Sequence, residues 1–169
     1  MPTYIALLRA VNVGGTGKLP MSDLKVLCEA AGFSAVRTYI ASGNVLFTAA
    51  GKEAAVRRAL ETELRRYAGR DVGVMVRTAA EMAAVAAGNP FTAMPGNRTV
   101  AIFLNEPPGA DALASVVGRR TEELRLGARE IYVYYPDGLA DTKLRIPAAL
   151  AGTARNMNTV AKLAELAAG

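Results

Sequence analysis

Val36-Arg37-Thr38-Tyr39-Ile40-Ala41-Ser42-Gly43-Asn44-Val45-Leu46-Phe47-Thr48 is the stretch from which the fold is read. β-Branched and aromatic residues crowd Val36 to Ile40 and again Val45 to Thr48. Between them Ala41-Ser42-Gly43-Asn44 carries Gly and Asn, the residue types that best tolerate left-handed backbone, and this pattern predicts a β-hairpin. Working outward, Leu24, Leu27, Cys28 and Ala31 recur at i, i+3, i+4 and i+7 before Gly32. That spacing predicts an amphipathic helix entered at Pro20 with Ser22 as its cap. Tyr4-Ile5-Ala6-Leu7-Leu8 ahead of it is an apolar run of strand length. On the far side of the hairpin, Val56, Leu60, Leu64 and Tyr67 mark one face of a long helix closed by Gly69, and Val72 to Val76 predicts a fourth strand. The order β-α-β-β-α-β is that of a ferredoxin-like unit.

The second half partly repeats this order. A connecting helix around Ala79 to Ala87 stops at Asn89-Pro90, and Thr99 to Leu104 reads as a strand. Asp111 to Val117 is expected to be a helix, Glu122 to Leu126 and Glu130 to Tyr135 strands, and Ala154 to Ala168 the closing helix. The expectation is an α+β protein of two ferredoxin-like (βαββαβ-type) subdomains, residues 1–78 and 79–169, packed as one compact unit. No residue-level repetition accompanies the parallel.

Composition bounds the chemistry. A chain of 169 residues with 51% hydrophobic and 21% charged residues is long enough for a core and excludes disordered, collagen-like and coiled-coil classes. It has no histidine and one cysteine, which removes histidine-based catalysis and the common zinc sites, so neither metal nor cofactor is expected. Cys28 lies on the apolar helix face and reads as a buried hydrophobe. No apolar run approaches the ~18 residues of a membrane span, and Met1-Pro2-Thr3 opens no signal peptide, so the expected address is cytoplasmic with no membrane partner. A net charge of +5 permits an anionic ligand.

Polar residues outside the apolar faces gather in three places. The first is Arg9, Asn12, Gly14, Gly15 and Lys18, after the first strand. A P-loop needs a Gly where Asn12 stands and a Ser or Thr where Leu19 stands, so only a looser anion-holding loop or a plain connection fits. The second is the hairpin, with Tyr39, Ser42 and Asn44, where turn chemistry is a sufficient structural reason and no base accompanies Ser42 as a nucleophile. The third is Thr153 to Lys162. On a helical period Arg155, Asn158, Thr159 and Lys162 share one face, Asn156 lies beside them, and Thr153 would cap, leaving free N–H groups suited to an anion or simply a solvated helix end. Asp137, Asp141 and Lys143 follow the last predicted strand; the Asp-Gly pair is mainly a turn signal. Arg57, Arg58, Arg65 and Arg66 form a basic helix face without interleaved aromatics beyond Tyr67.

Tyr4-Ile5-Ala6-Leu7-Leu8-Arg9-Ala10-Val11-Asn12-Val13-Gly14-Gly15, Lys18-Leu19-Pro20-Met21, Thr38-Tyr39-Ile40-Ala41-Ser42-Gly43-Asn44-Val45, Asn89-Pro90-Phe91 and Thr153-Ala154-Arg155-Asn156-Met157-Asn158-Thr159-Val160-Ala161-Lys162-Leu163 together resemble the bacterial family catalogued as domain of unknown function 1697. The resemblance implies a cytoplasmic α+β protein with ferredoxin-like subdomains, and brings no activity, cofactor or catalytic residue. Where that family usually has Trp this chain has Met157, and where it has a Ser-Lys pair this chain has Thr142-Lys143. Met cannot supply an indole for stacking, while Thr keeps the hydroxyl.

The function expected from these residues is binding of an anionic small molecule, a nucleotide or phosphorylated metabolite, in a cleft between the 9–18 loop, the 39–44 hairpin and the 153–162 helix start. Two other readings stand beside it: a nucleic-acid (RNA) binding module, and an interaction or assembly domain. An enzyme without histidine would need Asp, Glu, Lys or Tyr with a shifted pKa as its acid or base.

Overall fold

The computed structural model describes residues 1–9, 18–40 and 43–169. In chain order the elements are β1 (Thr3–Leu8), α1 (Met21–Ala30), β2 (Ser34–Thr38), β3 (Asn44–Thr48), α2 (Glu53–Ala68), β4 (Val74–Thr78), α3 (Ala79–Ala87), β5 (Thr99–Phe103), β6 (Glu123–Leu126), β7 (Glu130–Tyr134), β8 (Thr153–Asn156) and α4 (Met157–Ala168). They form two four-stranded sheets, β2-β3-β1-β4 and β6-β7-β5-β8, with every neighbouring pair antiparallel. The chain divides into two compact units, residues 1–82 with 163–169, and residues 83–162. It is a mixed α+β protein.

In the first unit the pleat sends Tyr4, Ala6 and Leu8 to one face of the sheet, with Val45, Phe47, Val74 and Val76 from the neighbouring strands. Leu24 and Cys28 of α1 and Val56, Leu60 and Leu64 of α2 pack onto that face. These are the periodic positions of the sequence, and burying each contributes ~1.5–3 kcal/mol. Phe33 stacks on Phe47 at 4.2 Å between ring centroids. Burial pushes the Cys28 thiol up to about 12, as expected of a cysteine acting as a core hydrophobe. Ile5, Leu7, Leu46, Met75 and Arg77 on the opposite face are buried as well.

In the second unit Val100, Ile102 and Leu104 share a face with Leu124, Ile131, Val133 and Tyr135. Among the described residues no α-helix covers it. Where a helix is expected over 111–117, residues 110–115 form consecutive turns and Val117 a bridge, and between β7 and β8 only a 3-10 turn, Pro147–Ala149, forms. Leu113, Val116, Leu144, Ile146 and Ala149 cover the sheet from these irregular segments. Helical periodicity in 111–117 was weak, and Asp111, Ser115 and the flanking glycines compete for backbone bonds in turn conformations.

Three local boundaries also differ from expectation. The closing helix begins at Met157 and Thr153–Asn156 is a strand, because these residues pair in register with Val100 to Phe103. Sheet hydrogen bonding overrides a helical side-chain pattern four residues long. β2 begins at Ser34 and carries a bulge between Ser34 and Arg37, where Ala35 takes a positive φ of 51°. Pro20 stands at the N-cap of α1 and no side chain caps it, so Ser22 lies inside the helix.

Candidate functional site

Asn12, Gly14, Gly15 and Ser42 lie outside the described residues. In the first unit Arg9 follows β1, exposed, with its N–H donating to the Gly73 carbonyl at 2.9 Å, and Lys18 is exposed before α1. Tyr39 and Asn44 are brought together. The Tyr39 N–H donates to the Asn44 carbonyl at 3.0 Å, and the fully buried Asn44 amide donates back to the Tyr39 carbonyl at 3.0 Å. These bonds close the hairpin.

In the second unit the Thr153–Lys162 stretch is divided between a strand and a helix. Arg155 is buried on β8, where its Nη1 donates to Thr153 Oγ1 at 2.7 Å and to the Ala154 carbonyl at 2.9 Å, and burial lowers the guanidinium to about 10. Asn156, not Thr153, caps α4: its Oδ1 accepts the Thr159 N–H at 2.9 Å. Thr159 is buried, the exposed Asn158 lies with its amide against Gly96, and Lys162 is half-buried. Arg155 pairs with Ala101, so it stands on the face of the sheet opposite Val100 and Ile102. The register therefore separates it from Lys143, whose segment packs on the Val100 and Ile102 face.

Lys143 borders a cavity of this unit. Thr142, Lys143, Leu144 and Arg145 line a cavity of about 500 Å³. A second, of about 460 Å³, is lined by Ile102, Val117, Tyr135, Leu144, Arg145 and Ile146, with Leu150 among the residues at its end. Neither Lys143 nor Arg145 forms a salt bridge among the described residues, and no carboxylate lines either cavity there.

Backbone anchors hold this segment where a helix does not. Val117 and Arg145 form an isolated antiparallel bridge with N–H to carbonyl distances of 3.0 and 2.8 Å. Glu122, buried, accepts the Thr142 hydroxyl at 2.6 Å and the Arg120 N–H at 2.7 Å, and Thr142 Oγ1 in turn accepts the Leu144 N–H at 3.2 Å. The Thr142 hydroxyl, then the Arg120 N–H, holds the Glu122 carboxyl below its usual range. Gly118 lets the chain pass: it has φ +73°, and a Cβ there would lie 2.0 Å from the Lys143 carbonyl oxygen. Tyr135 is pushed up, by burial first and by the Glu122 charge second, so it stays a neutral hydroxyl.

Arg145, Tyr135 and Glu122 were not singled out in the sequence. A signal for Arg145 existed: Lys143-Leu144-Arg145-Ile146 alternates polar and apolar residues, the pattern of an extended segment on a core. No sequence pattern marks Glu122, whose role depends on Thr142 twenty positions away. The basic face of α2 is largely neutralised, since Arg57 pairs with Glu61, Arg65 with Asp71 and Arg66 with Glu63. Among the described residues no group of three metal-binding side chains comes together, and no helix is long and apolar enough to cross a membrane.

The conserved bacterial protein SP0830 from Streptococcus pneumoniae has a similar structure, with a TM-score of 0.79, 23% sequence identity and 98% of each chain covered. At that identity the likeness shows the fold. No curated protein matches the sequence. The model of a protein family of unknown function, DUF1697, matches residues 1–132, well over half of the chain, and the chain belongs to that family.

Proposed function

We propose that this protein binds an anionic small molecule, a nucleotide or phosphorylated metabolite, and that Lys143 and Arg145 hold it. The observation that carries this is the cavity of about 500 Å³ lined by Thr142 to Arg145, with two cations that have no carboxylate partner among the described residues. The size is that of a small-molecule site, and paired cations beside a hydroxyl supply the charge-assisted donors that phosphate oxygens take.

The reading is confined to the Thr142–Arg145 segment: Arg9, Asn12, Gly14, Gly15, Lys18, Tyr39, Ser42, Asn44, Asn156, Asn158, Thr159 and Lys162 are not part of it, and Arg155 lies on the sheet face opposite that segment. The ferredoxin-like description belongs to this proposal too. The β-α-β-β-α-β order and the strand order β2-β3-β1-β4 of the first unit support it, and the second unit matches it in strand order alone. A cytoplasmic address is part of the same reading.

A thermal-shift panel of inorganic phosphate, nucleotides and sugar phosphates tests it. A ligand present at 100 times its Kd adds about 2.7 kcal/mol, a rise of roughly 5–11 °C for a chain of this length. The rise is expected in the wild type and lost in the folded Lys143→Ala/Arg145→Gln variant. No response to any of these anions, or a response equal in the variant, overturns the reading.

A further inference from the structure

The second cavity has a chemistry that a phosphorylated ligand leaves unused. Its floor is apolar, formed by Ile102 of β5 and by Ile146, and Val117 and Leu150 at its edge remain 54% and 72% exposed. Large apolar side chains left in water around a concave surface mark a place where another apolar body fits. Among these residues stands Tyr135, only 8% exposed, whose hydroxyl makes no hydrogen bond among the described residues. The residue is largely buried but its hydroxyl is not among the buried unpartnered atoms, so the hydroxyl is reachable by a ligand in the cavity that Tyr135 borders. Arg145 lines this cavity as well as its neighbour, and its guanidinium has no carboxylate partner among the described residues.

We propose that the cavity of about 460 Å³ binds a small amphipathic carboxylate, with its apolar body against Ile102, Val117, Ile146 and Leu150, its carboxylate accepting from the Tyr135 hydroxyl, and Arg145 as counter-ion. One neutral donor and one planar cation match a single carboxylate, which a guanidinium can engage through two parallel N–H bonds. A polyphosphate would bring several charges against an apolar wall with too few donors to replace its water. The raised pKa of Tyr135 keeps its proton available for donation. Glu122, the nearby carboxylate, is already engaged by Thr142 and Arg120 and does not line the cavity. The inference shares Arg145 with the phosphorylated-ligand reading but stands independently of it and names a different ligand class for the adjoining cavity.

The test titrates the full chain with octanoate, octanol and inorganic phosphate, followed by amide chemical shifts in NMR spectra. Octanoate is expected to bind and to shift the amides around Val117, Tyr135 and Ile146. Octanol has the same chain without the charge and should bind ~10-fold more weakly or worse. Tyr135→Phe keeps the ring and should weaken octanoate by ~5–10-fold, Arg145→Gln by ~10-fold or more, while Lys143→Ala leaves it within ~2-fold. Each variant is first shown to be folded by its own spectrum. Equal binding of octanoate and octanol, or octanoate binding untouched by Tyr135→Phe and Arg145→Gln, overturns the proposal. Phosphate binding that needs Lys143, with no octanoate binding, also overturns it and leaves the phosphorylated-ligand reading standing. Octanoate binding by this pattern, without phosphate or nucleotide binding, supports it and removes that reading.

Discussion

In the first unit the sheet face bearing Tyr4, Ala6 and Leu8 is covered by α1 and α2, whereas in the second unit the corresponding face, bearing Val100, Ile102 and Leu104, is covered by segments without an α-helix. The sheets themselves correspond strand for strand. Even a central row matches: Arg37, Leu46, Ile5 and Arg77 run across one sheet, and Arg125, Tyr132, Ala101 and Arg155 across the other. In both rows the outer arginine is exposed and the one on the far strand is buried. Helices satisfy their own backbone groups and can be laid on a sheet as closed units. Irregular segments must find partners outside themselves, here through Val117–Arg145 and Glu122–Thr142. In the second unit the two cavities described above are lined by residues of these segments together with Ile102 and Tyr135 of the sheet side.

The comparison predicts unequal responses to the same kind of damage. Leu60→Ala, at a position with no exposure, should cost about 3–5 kcal/mol in urea unfolding, because rigid helix packing leaves a cavity. Ile146→Ala, which borders space already open, should cost about 2 kcal/mol or less. Equal losses would show that the second core is as tightly closed as the first.

Gly69 and Gly118 share a φ of +73°, but nothing lies within 4 Å of a Cβ on Gly69. Gly69→Ala should therefore cost only the left-handed penalty of about 1 kcal/mol, whereas Gly118→Ala adds a collision with the Lys143 carbonyl and should exceed ~3 kcal/mol. Similar values for the two would mean that the crossing segments move apart freely. Glu122→Gln should cost about 1 kcal/mol near neutral pH through its hydrogen bonds to Thr142 and Arg120. The carboxyl is held below its ordinary value of 4.5, so its contribution is complete above that value and is lost as pH falls through the folded-state pKa. The variant's Tm should consequently change less than the wild type's between neutral pH and about pH 3. The smallest effect belongs to Arg65→Ala. Its ion pair with Asp71 is exposed on both sides, and stability should change by less than about 0.5 kcal/mol.

The two units also differ in how far the sequence reveals them. Leu24, Cys28, Val56, Leu60 and Leu64 announce α1 and α2 because a helix facing a sheet needs an apolar stripe at its own period. Asp111 to Val117 carries no such stripe, and its expected helix is absent. Thr153 to Asn156 shows the opposite failure: its side chains continue the helical period of α4, yet its backbone pairs with β5. Of the residues singled out for binding, Lys143 alone lines a cavity described here, and its companions Arg145 and Tyr135 reach it by a bridge and a strand end. Asn44, Asn156 and Arg155 have local bonds that give each a structural task, which a list of polar residues cannot foresee.

The element types of the first unit, the burial of Cys28, the lack of any histidine and the family could all be read from the chain alone, since each depends on residue identity or short-range periodicity. Tertiary structure decided that the second sheet would be covered without α-helices, that Arg155 would be buried on a strand, and that Lys143, Arg145 and Tyr135 would border adjoining cavities. Those outcomes depend on pairing between residues far apart in the chain, Val117 with Arg145, Thr142 with Glu122 and Ala101 with Arg155. A sequence period records the face a residue turns, but the partner on that face is set only when the chain has folded.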